Sequence, residues 1–117
     1  MRYRKSYYNI GKPRKRDNPE GRLLLQIIKY CKFKGAYVGK VKTTGAYKGG
    51  QFIKDPYLMR GLPDCLCFYN NKMYFFETKV GKNGLTPHQQ TFQLVCRQAN
   101  IPYVVIRDLE TIQKIIQ

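Results

Sequence analysis

Three side chains near the middle of the chain have the types and spacing of a catalytic group. Asp64 follows Pro63, and Glu77 and Lys79 sit one residue apart in the aromatic run "MYFFETKV". Asn70-Asn71-Lys72 is a turn between two β-prone stretches, so 64–80 reads as a hairpin. Alternate strand residues share a face, which puts Glu77 and Lys79 on one side, roughly 6–7 Å apart. A register that sets Asp64 beside Glu77 gathers two carboxylates and an ammonium at one end of a sheet. Thr78 is expected to point away, with its backbone carbonyl near that face.

Two close carboxylates repel unless a proton or a cation joins them. A hard divalent ion with oxygen ligands solves this. Mg²⁺ takes six oxygens at about 2.1 Å, commonly from one or two carboxylates plus waters and a substrate phosphate. A lysine alongside can hold or deprotonate a water and face the phosphate charge. The chemistry is metal-assisted phosphodiester hydrolysis. Taken singly, E-x-K on a strand is a weak solvated pair and an Asp after Pro is turn chemistry. An acid inside an apolar strand, paired with both, needs a further reason.

The elements that must position this group are legible on either side. Asn18-Pro19-Glu20 reads as a helix start, and apolar residues at 23, 24, 27, 28 and 31 continue it at helical spacing. Glu20 lies on that apolar stripe; a first-turn acid also suits the helix dipole. A strand is expected over 36–43, a loop over 48–50 and irregular chain over 51–62. Strands follow over 64–69 and 73–80, then a basic Gly-bearing loop, "VGKNG". Thr86, Pro87 and Gln89 form a capping box for a helix to about residue 98. The apolar 101–108 segment is a strand covered on both faces, and Asp108 caps a last helix. The order is helix, three strands, helix, strand, helix.

Composition supplies the substrate class. The 117 residues fit one domain, and 22 Lys+Arg against 7 Asp+Glu give a net charge of +15. Such charge is tolerable opposite a polyanion, and phosphate backbones are the usual one. The 10 Tyr and 6 Phe interleave with the basic residues, favouring nucleic acid over a membrane surface. There is no apolar run of membrane-spanning length, no apolar segment following the basic start and no basic amphipathic helix. No membrane partner is expected. Residues 1–17 read as a basic arm, ahead of a domain over 18–117. Arg2, Arg4, Lys5, Arg14, Lys15 and Arg16 would lie along phosphates in the arm, unless it is a solvated tail; Arg60 and Lys82 are further DNA-binding candidates. Of the cysteines 31, 65, 67 and 96, only Cys65-x-Cys67 is a close pair. That pair is expected to face opposite sides of its strand, so the four read as reduced, buried thiols and not as a zinc site.

The stretch "GLPDCLCFYNNKMYFFETKVGKNGLTPHQQTF" resembles the PD-(D/E)XK nuclease superfamily and, within it, the VRR-NUC (virus-type replication-repair nuclease) group. The residues that carry the resemblance are Gly61-x-Pro63-Asp64, Glu77-x-Lys79, and Leu85-Thr86 with Gln89 and Phe92. It implies an α/β fold, a central mixed sheet flanked by helices in the order αβββαβ, here with an extra C-terminal helix. It also implies Mg²⁺ or Mn²⁺ held by Asp64, Glu77 and the Thr78 carbonyl, with Lys79 activating the water. Gln89 would reach back to the site, and Glu20 would match an acid that some members carry on the first helix.

The activity implied is a metal-dependent DNA endonuclease acting on branched or otherwise structured DNA, such as a four-way junction or a flap. A stand-alone domain of this kind looks like the phage or bacterial form, acting in the cytoplasm, in DNA repair or related processing. A homodimer would present two sites to two strands. The competing reading is a basic nucleic-acid-binding module without chemistry. A ribosomal-type RNA binder explains the charge but not the two acids and the lysine.

Overall fold

A computed structural model of the chain describes residues 17–41, 46–53 and 55–117. Most of the basic arm, with Arg2, Arg4, Lys5, Arg14, Lys15 and Arg16, lies outside the described residues. Helix α1 (Pro19–Phe33) starts as its sequence dictates: the Asn18 side chain accepts from the Gly21 N–H at 2.9 Å, with Pro19 in the first turn. Its stripe of Leu23, Ile27, Ile28 and Cys31 is buried.

Among the described residues the strands in chain order are β1 (Tyr37–Lys40), β2 (Ala46–Lys48), β3 (Gln51–Ile53), β4 (Cys65–Tyr69), β5 (Lys72–Thr78) and β6 (Tyr103–Ile106), and four of them form a mixed sheet in the order β1-β4-β5-β6. Strands β1, β4 and β5 are antiparallel neighbours. The β4–β5 turn is short because Asn70 and Asn71 both take positive φ, 54° and 64°, the twist a two-residue hairpin needs. Strand β6 pairs with β5 in parallel. A parallel neighbour needs a crossover, which helix α2 (Pro87–Gln98) supplies. Helix α3 (Leu109–Ile115) follows, capped by Asp108, whose Oδ1 accepts from the Thr111 N–H at 2.9 Å.

One face of the sheet carries Val38, Cys65, Cys67, Phe76 and Ile106, packed with the α1 stripe and with Ile112 and Ile116. The Tyr30 hydroxyl donates to the Ile116 carbonyl at 2.8 Å, tying α1 to the end of the chain. On the opposite face Phe92 of α2 packs edge-on against Phe75, ring centres 5.2 Å apart, and leans on Tyr103. Among the described residues no helix is long and apolar enough to cross a membrane.

Two expectations need correction. Residues 46–53 contain a second hairpin, β2 (Ala46–Lys48) with β3 (Gln51–Ile53), where a loop and irregular chain were expected. Gly49 and Gly50 adopt φ of 57° and 78°, so the pair that reads as a loop is a tight hairpin turn. Cys65 and Cys67 are also not divided between faces. A strand repeats every two residues, so both point into the core, fully buried and free of disulfides, as are Cys31 and Cys96. Burial first raises the Cys65 thiol, to about 12.

Candidate active site

The Cys65↔Phe76 step of the β4–β5 ladder, continued by one residue, sets Asp64 opposite Glu77. Asp64 stands just before β4, beside buried Pro63, and its carbonyl accepts from the Val41 N–H at 2.9 Å. Beyond the end of β5, the Lys79 N–H donates to the Ile106 carbonyl at 3.1 Å. The backbone on both sides of Glu77-Thr78-Lys79 is therefore held by the sheet.

Glu77 is 3% exposed and Lys79 is 9% exposed, so this is not a solvated surface pair. The Lys79 ammonium lies 3.6 Å from Glu77 Oε2. Gln89 Nε2 donates to the same oxygen at 3.0 Å. Gln89 also completes the capping box of α2, where its Oε1 accepts from the Thr86 N–H at 2.9 Å. One side chain thus closes the helix start and grips the carboxylate. Glu77 Oε1, by contrast, is buried with no hydrogen-bond partner. Burial first, and the Asp64 charge next, push the Glu77 carboxyl up to about 7, against the pull of Lys79.

Asp64 is fixed through Thr78. Its Oδ2 accepts from both the Thr78 N–H, at 2.8 Å, and the Thr78 hydroxyl, at 2.7 Å. The expectation that Thr78 points away needs correction: its hydroxyl turns to the acid and is sealed from solvent. With Oδ2 engaged twice, Oδ1 is the Asp64 oxygen left to face a ligand. The Tyr103 hydroxyl is also buried without a partner; burial first and then the Glu77 charge raise its pKa.

Gly61 supplies a link that its place in the motif did not explain. Its φ is +76°, and a Cβ there would lie 2.1 Å from the His88 carbonyl oxygen and 2.9 Å from the Gln89 nitrogen. The loop leading to Asp64 therefore rests directly on the first turn of α2, which carries Gln89.

The structure brings Asp64, Glu77, Thr78, Lys79 and Gln89 together as two bonded sets, Thr78 with Asp64 and Gln89 and Lys79 with Glu77, joined through the contiguous backbone of residues 77–79. Glu20 is half-buried in the first turn of α1, with no hydrogen bond or ion pair to either set. Among the described residues no three His, Cys, Asp or Glu side chains are arranged to hold a metal ion. Arg60 and Lys82 are exposed on loops before and after the hairpin.

The donor set still fits a hard divalent cation. Two carboxylates repel across the site, one holds a buried oxygen without a partner, and Mg²⁺ needs only one or two protein carboxylates. A solved structure described as "VRR_NUC domain" superposes with a TM-score of 0.63, over 86% of this chain and 96% of that one. The fold is that of a VRR-NUC domain. At 22% identity the likeness is one of architecture. No family model and no curated protein matches the chain. The VRR-NUC fold accounts for the mixed sheet and flanking helices expected from the sequence, with the β2–β3 hairpin as an addition to the expected order.

Proposed function

We propose that the chain is a nuclease that hydrolyses phosphodiester bonds in DNA with Mg²⁺ or Mn²⁺, preferring branched or otherwise structured substrates. The observation that carries this reading is the Glu77 carboxylate. It is buried and repelled by Asp64, with one oxygen held by Gln89 and Lys79 and the other without a partner. A fold gains nothing from such a group unless a ligand completes it.

Asp64, Glu77 and the Thr78 carbonyl are the residues to hold the ion. Once bound, a divalent cation polarises the phosphoryl oxygen and offsets the charge that develops during hydrolysis. Thr78 fixes the orientation of Asp64, and Gln89 that of Glu77. Lys79 donates to the attacking water and faces the phosphate. The positive charge of +15 draws the DNA backbone to the site. Arg60 and Lys82, exposed on loops before and after the hairpin, are the phosphate contacts of this reading, and Arg2, Arg4, Lys5, Arg14, Lys15 and Arg16 join them by their charge alone. Glu20 receives no metal in this scheme. A two-fold dimer would set two such sites on two strands of a junction.

The test is a cleavage panel of four-way junction, flap, plain duplex and single strand, each with Mg²⁺, Mn²⁺ or EDTA. Cutting should require metal, favour the branched substrates and vanish in Lys79→Ala and Asp64→Asn. Full cutting by either variant would sink the site assignment. DNA binding with no cutting under any condition would favour a non-catalytic binding module.

A further inference from the structure

The sheet face that carries Glu77 is covered over only half its width. Register places Tyr37, Gly39, Leu66, Phe68, Met73, Phe75 and Tyr103 on that face. Phe92 of α2 covers Phe75 and Tyr103. Among the described residues, no helix packs on this face over β1 and β4. Tyr37 is 81% exposed and Phe68 is 44% exposed, their ring centres 6.2 Å apart.

Two grooves meet at Phe68. One, of about 220 Å³, runs past Tyr37, Gly39, Leu66 and Lys40. The other, of about 520 Å³, wraps round the hairpin end past Met73, Lys72, Asn71, Tyr69 and Gly35. Both lysines are exposed, and strand alternation starts them on the other face, Lys40 opposite Cys65 and Lys72 opposite Tyr69. Gly39 lies opposite Leu66. Its φ is not positive, and a Cβ there would meet nothing within 4 Å. Neither backbone strain nor crowding requires a glycine at 39. What its missing side chain leaves is open floor beside the Tyr37–Phe68 ring pair, and a strand glycine often marks close approach of a ligand.

We infer that this face, built on Tyr37 and Phe68 and floored by Gly39 and Leu66, is a stacking platform for unpaired DNA bases beside the proposed active site. The inference deepens the nuclease reading and rests on it for the identity of the polyanion. Charge decides the occupant. A second copy would bring another +15 against this face, whereas a single strand brings a polyanionic backbone to a chain of that charge and flat apolar bases to the rings. Phe68 is four residues along the strand from Asp64, about 13 Å. About four nucleotides of stacked strand span that distance at about 3.4 Å each. The substrate class that fits is DNA with an unpaired stretch a few nucleotides from the scissile bond.

The test measures binding, in EDTA, of labelled single-stranded and blunt duplex oligonucleotides of equal length by fluorescence anisotropy. Tyr37→Ala removes a ring that is mostly in solvent, and Gly39→Val fills open floor, so both variants should fold. Each should weaken single-strand binding about 5- to 100-fold, as expected for loss of a base–aromatic stack. Duplex binding should stay unchanged, and Tyr37→Trp should retain the single-strand affinity. Equal loss on both probes, or loss on neither, would overturn the platform. So would a sedimentation shift from dimer to monomer in Tyr37→Ala, which would make the face an interface between copies. Metal-free binding separates the two readings. Selective single-strand loss in a protein that cuts nothing keeps the platform and removes the nuclease; unselective loss in an active enzyme removes the platform alone.

Discussion

Gly61 lies so close to the backbone of His88 that a Cβ at position 61 would sit 2.1 Å from the His88 carbonyl oxygen. This packing joins the loop before Asp64 to the helix that carries Gln89, and so sets the separation of two parts of the candidate site. Gly61→Ala must take an unfavourable positive φ and also push the helix start away. The expected cost is about 2 kcal/mol or more in urea denaturation. Cleavage should fall beyond what the lost stability explains, because Gln89 moves with His88. A variant as stable and active as the parent would show that the loop and helix are not coupled.

Gln89 has two partners, Thr86 and Glu77, and one substitution can separate them. In Gln89→Glu a carboxylate can still accept from the Thr86 N–H, but the donor to Glu77 is gone and a third negative charge enters the site. Helix content by far-UV circular dichroism should be unchanged. Metal affinity or cleavage should fall about 10- to 100-fold, the usual effect of losing a partner that orients a ligand. Unaltered cleavage would leave Gln89 with capping alone.

Thr78 predicts a contrast between two conservative changes. Thr78→Val keeps the shape but removes the hydroxyl that donates to Asp64 Oδ2. A loss of about 1–3 kcal/mol is expected, since the acid is left one donor short in a part-buried place. Thr78→Ser retains the donor and should lose less. Calorimetric titration with Mn²⁺ should rank the proteins in the same order, parent, Ser, Val. Equal affinities across all three would detach the hydroxyl from the site.

The raised Glu77 carboxyl gives the metal-free protein a pH signature. Burial first and the Asp64 charge second raise it to about 7, from an ordinary value of 4.5. Between those values the folded chain keeps a proton that the unfolded chain has lost. Stability therefore falls as pH rises through this window, and the full cost stands above the folded pKa. The expected size is on the order of 3 kcal/mol. Glu77→Gln cannot ionise and should lack this slope. Urea midpoints of the two proteins in EDTA, from pH 5 to pH 8, should diverge in favour of the variant. Parallel curves would mean that Glu77 titrates as an ordinary surface acid.

The sequence by itself determined whatever its neighbours in the chain could encode. Asn18 and Thr86 start their helices because a cap and its partners lie within three residues. The apolar stripe of α1 follows from helical period, and Asn70-Asn71 closes a hairpin because both residues tolerate positive φ. Strand period alone puts Glu77 and Lys79 on one side. The structure alone decided the pairings made across long separations. The Gly61–His88 packing, the grip of Thr78 on Asp64 and the reach of Gln89 to Glu77 depend on where α2 and the loop before β4 settle on the sheet. Gly49-Gly50 reads as a loop until β2 and β3 are seen to pair. Nothing within a few residues of these positions distinguishes one partner from another. Packing of the whole chain does, because only there can each buried polar group be matched, or, like Glu77 Oε1, be left without a partner.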